Sequence, residues 1–325
     1  MTDTIRPGGL WVYCERGGGG VRPVAFELLG QAARLAKAMG CPVTAALVGN
    51  PEGAESLARY GADAVLCAAC DADQPDELVQ AGALAALVEK YRPAALLLGA
   101  TAFGRSLAPR LAARLNTGLT ADCTGLDVDP ETGLLLQTRP AFGGNLMATI
   151  VCPDRRPQMA TVRPKVFPVP APDMTRSCPV IVEQSPAAES AVELIERIAS
   201  GGGVNIGDAD VLVSVGQGIG GAENIALAEK LAKKLGGALS ASRPLVDAGA
   251  LPYARQVGQT GKTVSPRLYI ALGISGAIQH MAGVAAQTIV AVNTDPDAPI
   301  FRYAQYAVRC DCGAFLREMM ERIGN

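Results

Sequence analysis

The feature that most constrains the fold is the alternation of short apolar runs with helix-patterned segments between Gly9 and Leu115. Ala94–Gly99 is apolar without interruption, which is typical of a strand buried on both faces of a parallel sheet. Pro23–Met39 carries apolar residues at helical spacing and is followed by Gly40, a residue suited to ending a helix. The alternation therefore predicts an α/β fold in which helices cover both faces of a mostly parallel sheet.

The elements of this stretch are assigned in the same way. The predicted strands are Gly9–Tyr13, Val43–Leu47, Ala64–Cys67 and Ala94–Gly99, and the predicted helices are Pro23–Met39, Pro51–Tyr60, Pro75–Tyr91 and Gly104–Leu115. After Thr117, four short strands separated by turn residues are predicted at Leu126–Val128, Leu134–Thr138, Met147–Val151 and Met159–Val162. We expect these four to be antiparallel additions to the same domain. Pro164–Pro179 contains five prolines, so it is not expected to form a regular central element.

A second α/β series begins after Gly201–Gly203, which is the best candidate for a domain boundary because glycine adds no side chain to pack. Ala191–Ile198, just before it, fits a helix or a strand. The later predicted elements are strands at Ala209–Val215, Leu268–Leu272, Thr288–Val292 and Tyr306–Val308 and helices at Ala222–Leu235, Ala277–Gly283 and Gly313–Ile323. The sequence therefore predicts two α/β domains, residues 1–200 and 201–325.

The composition of the chain excludes several classes of function. The chain has 325 residues, of which 49% are hydrophobic, and its formal net charge is −2. This charge does not indicate a protein that binds nucleic acid or an anionic membrane through positive charge. No apolar run approaches the ~18 residues of a membrane span, and no signal peptide is evident, so the nine cysteines are predicted to be reduced in a cytoplasmic protein. The single histidine, His280, excludes metal sites and acid–base schemes that need two histidines.

Gly216–Gly221 fits the pattern G-x-G-x-x-G between a predicted strand and a predicted helix. In dinucleotide-binding folds these glycines allow the backbone to approach a pyrophosphate. The ribose-binding acid expected about 20 residues later is missing, because Ser240–Arg243 contains no acid and the first is Asp247. Two interpretations stay open: a nucleotide-binding loop, or a turn that needs glycine for its own geometry.

Two cysteine pairs have motif-like spacing. Cys67 and Cys70 lie at the end of a predicted strand rather than at the start of a helix, so we predict that they are structural and not redox-active. Cys310 and Cys312 could supply two metal ligands, but no other Cys or His pair lies near them in sequence, and no metal site is predicted.

Small and polar residues concentrate in three segments that follow predicted strands or lie between them: Ser242-Arg243, Gln256–Lys262 and Gly273–His280. Open α/β sheets bind ligands at the carboxyl ends of their strands. Ser275-Gly276 opens a predicted helix, where backbone N–H groups can hold phosphate. The alternative is a loop-rich edge that contains one core histidine.

These segments resemble the FAD-binding domain of the electron transfer flavoprotein alpha subunit. The similarity is carried by Ser242-Arg243, Val257–Lys262, Leu268–His280 and Asn293–Phe301, and in the first half by Gly118–Gly125 and Arg139–Asn145, which are most similar to alpha subunits of anaerobic bacteria. The resemblance implies that residues 201–325 form a Rossmann-like FAD-binding domain and that residues 1–200 pack against a beta subunit. The cofactor-binding residues that it implies are Gln217, Ser242, Arg243, Gln256, Val257, Gly258, Gln259, Thr260, Ser275, Gly276, Ala277, Ile278, Gln279, His280, Asn293, Asp311 and Cys312.

The resemblance also implies individual roles. Arg243 would stabilise reduced, anionic flavin, Thr260 would bond near flavin N5, and His280 would lie near the pyrimidine carbonyl O2. The ribityl–pyrophosphate would be held by Ser275, Gly276 and Asn293, and the adenosine end by Asp311. The family usually has arginine where this chain has Gln217, and losing that cation is expected to lower the flavin potential.

The function implied is that of a non-enzymatic electron carrier. Its FAD would shuttle electrons between an acyl-CoA dehydrogenase-type flavoenzyme and another redox partner or NADH, with membership of a bifurcating or CoA-reductase complex left open. The alternatives are an NAD(P)-dependent dehydrogenase that uses Gly216–Gly221 and a non-redox nucleotide-binding protein.

Overall fold

A computed structural model describes residues 7–17, 20–70, 76–141, 146–184, 195–196 and 205–323. The described residues up to 196 form one compact unit, and residues 205–323 form a second. The predicted boundary at Gly201–Gly203 lies outside the described residues, and so does Ala191–Ile198 except for residues 195 and 196.

The first unit has three long helices, α1 (Pro23–Met39), α2 (Glu77–Tyr91) and α3 (Ala102–Arg114), and a 3₁₀ helix at Ala54–Tyr60. Its strands are β1 (Leu10–Tyr13), β2 (Arg16–Gly17), β3 (Gly20–Val21), β4 (Val43–Val48), β5 (Ala64–Ala69), β6 (Ala95–Gly99), β7 (Leu119–Cys123), β8 (Gly125–Val128), β9 (Leu135–Ala141), β10 (Leu146–Ile150), β11 (Gln158–Val162) and β12 (Val180–Gln184).

Seven strands form one parallel sheet in the order β12-β5-β4-β1-β6-β11-β7, and β8, β9 and β10 form a separate antiparallel sheet. The prediction that Met159–Val162 is an antiparallel addition is therefore wrong. That segment, β11, pairs in parallel with both β6 and β7. All five of its residues are buried, as in a central parallel strand, and the chain passes through the antiparallel sheet before β11 enters between β6 and β7.

Both faces of this sheet are covered, as the apolar pattern predicted. Leu10 and Val12 of β1 point to a core shared with α1, whereas Trp11 and Tyr13 point to a core shared with α2 and α3. Because successive residues of a strand face opposite sides, a strand covered on both faces must be apolar throughout. Arg22, followed by Pro23, opens α1, and Gly40 ends it in the left-handed conformation.

The second unit repeats the architecture with five parallel strands. They are β13 (Val211–Val215), β14 (Ala238–Ala241), β15 (Leu268–Leu272), β16 (Thr288–Asn293) and β17 (Tyr306–Arg309), in the order β14-β13-β15-β16-β17. The helices are α4 (Ala222–Lys234), α5 (Arg243–Asp247), α6 (Ile278–Met281) and α7 (Cys312–Arg322), with 3₁₀ helices at Gln217–Ile219, Tyr253–Arg255 and Pro299–Arg302.

The faces of the second sheet are covered unequally. Val213 packs with residues of α4 and α7 in one core. Tyr269 and Ala271, on the opposite face, pack under short α6 and the loops around Val257, Val264 and Ile300. The predicted α/β class with two parallel sheets is thus confirmed, and much of one face of the second sheet is covered by loops. Among the described residues, no helix is both long and apolar enough to cross a membrane.

Candidate functional site

The topology of the second sheet identifies the edge where a ligand is expected. From β13 the chain moves first to β14 on one side and then to β15 and β16 on the other. The order therefore reverses between β13 and β15, and open α/β sheets bind ligands outside the carboxyl ends of the strands at such a point. The segments singled out from the sequence follow β13, β14, β15, β16 and β17 at this edge.

The glycine-rich segment after β13 packs against the turn after β15. Gly218 donates its backbone N–H to the carbonyl of Gly273 over 3.0 Å, and Gly273 adopts a φ of +63°. A Cβ at Gly216 would lie 2.3 Å from the Gly273 oxygen. The turn-geometry interpretation therefore accounts for Gly216 and Gly273 through contact between two backbones. Gln217 is exposed at the start of the 3₁₀ helix.

Ser242 and Arg243 follow β14. The buried Ser242 donates its backbone N–H to the carbonyl of Val215, which joins this loop to the end of β13. Arg243 begins α5 and is exposed, with its Nε 3.1 Å from the Asp247 carboxylate. Because that pair is open to solvent, the guanidinium remains available for a ligand at the sheet edge.

The loop 256–262 is held by backbone hydrogen bonds on two sides. Val257 donates to the carbonyl of Ala241, and Gln259 donates to the carbonyl of Gln279. Gly258 has a φ of +136° and packs against Gly283, where a Cβ on Gly283 would lie 2.6 Å from the Gly258 backbone. The loop therefore connects β14 with the beginning of α6, and glycine is needed at the point of closest approach.

Within that loop the Thr260 hydroxyl is oriented by Gln256. The amide Nε2 of buried Gln256 donates to Thr260 Oγ1 over 3.1 Å, and Tyr253 donates its hydroxyl to the Thr260 carbonyl. Since Oγ1 accepts this bond, the hydroxyl proton of exposed Thr260 is free to be donated outward. Thr260 is thus a fixed hydrogen-bond donor on the sheet edge.

The turn after β15 presents backbone donors. Within the described ranges, no hydrogen bond uses the N–H groups of Ser275 and Gly276. Ile300 donates to the Ser275 carbonyl, and Asn293 donates its side-chain amide to the Ile274 carbonyl over 3.0 Å. The carbonyl groups of the turn therefore accept hydrogen bonds from the rest of the unit, while the N–H groups of Ser275 and Gly276 are available to donate to a ligand. Ala277, Ile278 and Gln279 continue from it as exposed residues.

His280 is a buried histidine with one hydrogen-bonded nitrogen. Its Nε2 lies 2.8 Å from the hydroxyl of Tyr269, a residue of β15, whereas its Nδ1 has no partner in hydrogen-bond geometry among the described residues. Burial lowers the pKa of His280 to about 4, and a backbone interaction with Val257 opposes this. The imidazole is therefore neutral near pH 7. Tyr269 lies in the segment that carries the family resemblance, but no role at the site was predicted for it, because a tyrosine within an apolar strand indicates no particular chemistry.

Asp311 and Cys312 follow β17. The Asp311 carboxylate accepts a hydrogen bond from the Ala314 N–H and caps α7, and the Cys312 side chain is buried against the Val292 carbonyl. Among the described residues, no bond connects Asp311 to the loops after β13, β14 or β15. It lies at the same edge, two strands away from β15.

The cysteine pairs fit structural roles. Cys67 is buried, its thiol donates to the Gly49 carbonyl, and burial raises its pKa to about 11, which is the opposite of an activated thiolate. Burial likewise raises the pKa of Cys312 to about 11. In the part of the chain that the structure describes, no three His, Cys, Asp or Glu side chains are grouped as they would be to hold a metal ion.

Comparison with known families identifies the chain. Residues 10–188 match the family model for the electron transfer flavoprotein domain, and residues 205–285 match the one for the electron transfer flavoprotein FAD-binding domain. The chain belongs to the electron transfer flavoprotein family. The second match covers the loops after β13, β14 and β15 and includes His280. FAD is the cofactor that this domain takes.

Relatives match over nearly the whole chain. An electron transfer flavoprotein subunit alpha from Thermoanaerobacterium thermosaccharolyticum is 49% identical, and the alignment covers 97% of each chain. Protein FixB from Clostridium saccharobutylicum is 46% identical, with 96% of this chain and 95% of the relative covered. A subunit of the lactate dehydrogenase (NAD(+),ferredoxin) of Acetobacterium woodii is 40% identical over 97% of this chain and 77% of that protein. These relatives identify the chain as an electron transfer flavoprotein alpha subunit.

Proposed function

We propose that this alpha subunit holds FAD at the carboxyl edge of its second sheet and passes electrons between an acyl-CoA dehydrogenase-type flavoenzyme and another redox partner or NADH. The observation that carries the proposal is the hydrogen-bonded set of loops at the β13/β15 switch point, within the segment that matches the FAD-binding domain. The bound flavin would supply the electron-accepting chemistry. The protein would set its position, its exposure and its potential.

The residues at this edge fit FAD. A flavin dinucleotide needs donors for its pyrophosphate and for the carbonyl and nitrogen atoms of its ring. The unpartnered N–H groups of Ser275 and Gly276 are suited to the former, and Thr260 and His280 offer donors for the latter. His280 Nδ1 is buried and has no partner in full hydrogen-bond geometry among the described residues, although the Val257 backbone interacts with the imidazole; this supports a ligand here, because an unsatisfied buried polar atom is costly.

We propose roles for individual residues on this basis. Arg243 would lie near the flavin ring and favour its reduced, anionic form, Thr260 would donate near N5, and His280 would donate to the pyrimidine carbonyl. Ser275, Gly276 and Asn293 would hold the ribityl–pyrophosphate, and Asp311 would hold the adenosine end. Four of the proposed site residues have buried side chains and would act through their backbone or by orienting their neighbours: Ser242, Gln256, Val257 and Cys312. The remaining residues that would line the cofactor are Gln217, Gly258, Gln259, Ala277, Ile278 and Gln279.

Reduction of the flavin by a candidate donor tests the proposal. The FAD-loaded chain, paired with its beta subunit, is mixed without oxygen with an acyl-CoA dehydrogenase and its acyl-CoA substrate, or with NADH. Loss of the visible flavin absorbance only when the donor is complete is the expected result. A complex that binds FAD but is reduced by none of these donors would contradict the proposed electron-transfer role.

We also propose that the chain forms a heterodimer with a beta subunit in the cytoplasm, where it acts as an electron carrier. The buried thiols of Cys14, Cys67, Cys123 and Cys312 form no disulfide, which is consistent with a reducing compartment. Strand β10 supports a protein partner, because it is an edge strand with a row of exposed apolar side chains. Leu146 and Met147 are 59% exposed, Ile150 is 40% exposed, and Val151, just beyond the strand, is 44% exposed. Unpaired edge strands and exposed apolar patches mark interaction sites.

Replacing Met147 by aspartate is expected to weaken association with the beta subunit. A charge placed on the apolar strand would have to be desolvated in the complex, so the dissociation constant should rise about tenfold or more. Isothermal titration of the two subunits measures this change. Met174→Asp is the matched control, since Met174 is 66% exposed in a segment outside the strands. Equal affinities for the two variants and the wild type would rule out β10 as the interface.

Replacing Gln217 by arginine is expected to raise the flavin potential. Residue 217 is exposed at the end of β13, and a positive charge there would stabilise negative charge on the reduced cofactor. A unit charge at close range contributes about 1 kcal/mol even in a water-like medium. Spectroelectrochemical titration of the complex measures the shift, and Gln217→Met separates charge from size. Identical potentials for the arginine and methionine variants would mean that residue 217 does not act on the flavin.

A further inference from the structure

Tyr269 and His280 form a buried pair at the base of the candidate site. Tyr269 is on β15 and is 0% exposed, and His280 is on α6 and is 8% exposed. The tyrosine hydroxyl lies 2.8 Å from His280 Nε2, and the two side chains come from elements on either side of the turn at Gly273–Gly276. Tyr269 is too deeply buried to touch a ligand, so any effect on the cofactor must pass through His280.

The direction of this hydrogen bond follows from the surroundings. Burial raises the pKa of the Tyr269 hydroxyl, which the nearby Ser214 hydroxyl opposes only in part, so Tyr269 keeps its proton. That buried proton needs an acceptor, and His280 Nε2 is the hydrogen-bond partner of the Tyr269 hydroxyl among the described residues. A neutral imidazole that accepts at Nε2 carries its own proton on Nδ1. The nitrogen left without a full hydrogen bond is then a donor; the Val257 backbone interacts with the imidazole but is not in full hydrogen-bond geometry with Nδ1.

We propose that Tyr269 is a positioning residue that locks His280 in the Nδ1–H tautomer, so that the imidazole presents a hydrogen-bond donor to a carbonyl oxygen of the bound cofactor. The identity of that acceptor rests on the proposed function. The tautomer itself does not, because it depends only on contacts within the second unit. Without the tyrosine hydroxyl, Nε2 loses its partner and either nitrogen can carry the proton. The direction of the hydrogen bond toward the ligand is then no longer specified.

The single histidine makes the tautomer directly measurable. The full-length chain, produced without a histidine tag and labelled with ¹⁵N-histidine, contains one imidazole. In FAD-free wild type near pH 7, Nδ1 is expected to show the shift of a protonated nitrogen and Nε2 that of an unprotonated one. The reverse assignment in the wild type would overturn the proposal, whatever the behaviour of any variant.

Tyr269→Phe removes only the hydroxyl and keeps the ring. The two imidazole nitrogens should then move toward averaged shifts, as the two tautomers mix. Tyr13→Phe is the matched control, because Tyr13 is also buried and donates its hydroxyl to a side chain, Gln80, but in the first unit. The control should leave the His280 signals unchanged. Unchanged tautomer shifts in Tyr269→Phe would show that Tyr269 does not set the tautomer.

Adding FAD to the labelled protein, as its complex with unlabelled beta subunit, tests the ligand side. The wild-type Nδ1 signal should shift on binding, and Tyr269→Phe should bind FAD about three- to tenfold more weakly, the range expected for one hydrogen bond. In a His280→Asn background, whose amide offers a donor without needing Tyr269, the tyrosine substitution should add nothing. If the tautomer is as expected but FAD leaves the Nδ1 signal in place, the proposed cofactor contact fails while the tautomer stands. If FAD binds and the tautomer is reversed, this inference alone fails.

Discussion

The substitution Gly273→Ala is expected to unfold or severely destabilise the second unit. Gly273 has a φ of +63°, and an added Cβ would lie 2.3 Å from the carbonyl carbon of Gly218 and 2.6 Å from the nitrogen of Ile219. Both atoms belong to backbone, so no side-chain rotation relieves the clash. The left-handed conformation costs an alanine about 1–2 kcal/mol, and overpacking adds roughly 1–3 kcal/mol. The total is a large fraction of a typical domain's stability.

Chemical denaturation of the full-length variant measures the loss, and FAD binding should be lost with it. Gly236→Ala is the matched control: Gly236 also has a left-handed φ, +66°, but nothing lies within 4 Å of its added Cβ. That variant should lose only the conformational cost of about 1–2 kcal/mol. If both variants were equally stable, the contact between the two loops would be unimportant for the fold.

Arg243→Ala is expected to lower the flavin potential with little effect on stability. In its ion pair with Asp247, the Arg243 side chain is 63% exposed and the Asp247 side chain is 60% exposed. Ion pairs as exposed as this contribute little to the free energy of folding. The charge of Arg243, however, stands at the carboxyl edge beside the loop that orients Thr260. Loss of a unit charge near the reduced flavin should cost on the order of 1 kcal/mol, equivalent to roughly 40 mV for one electron.

Spectroelectrochemistry of the complex tests this prediction. Arg322→Ala is the control, because Arg322 forms an exposed ion pair of the same i,i+4 spacing with Glu318 on α7. Arg243→Lys should keep most of the potential, since it keeps the charge. A potential that is unchanged in Arg243→Ala would contradict the assigned position of Arg243 beside the ring.

The helices and strands that could be predicted from the sequence are those whose own residues mark their ends or their burial. Proline at the first position of α1 and glycine just after its last residue mark the two ends of that helix, and the uninterrupted apolar run of β6 marks a buried parallel strand. The direction of β11 was predicted wrongly, because its pairing with β6 and β7 depends on residues distant in sequence. Strand β14, with the small polar Ser240 among alanines and a leucine, has too weak a pattern to be recognised.

In the candidate site, too, features marked by local sequence could be predicted, and features that depend on contacts between distant residues could not. Its loops were located from the sequence because glycine, serine and glutamine cluster after apolar runs, and the family resemblance is carried by those segments. The reason for Gly216 and Gly273 was not visible, because a Cβ at Gly216 would meet the backbone of Gly273, and a Cβ at Gly273 would meet the backbone of Gly218 and Ile219. Tyr269 was missed because its hydroxyl becomes informative only when His280 is brought 2.8 Å away by the fold.

The central claim is that this chain itself holds FAD at the carboxyl edge of its second sheet. Equilibrium titration of the full-length chain with FAD, followed by the flavin's visible spectrum and fluorescence and repeated with NADH in its place, tests the claim most directly. We expect a saturable spectral change with FAD at about one equivalent per chain, enhanced by the beta subunit and lost in Gly273→Ala but not in Gly236→Ala. A chain that leaves the FAD spectrum unchanged with and without the beta subunit, or that binds NADH in preference to FAD, would contradict it.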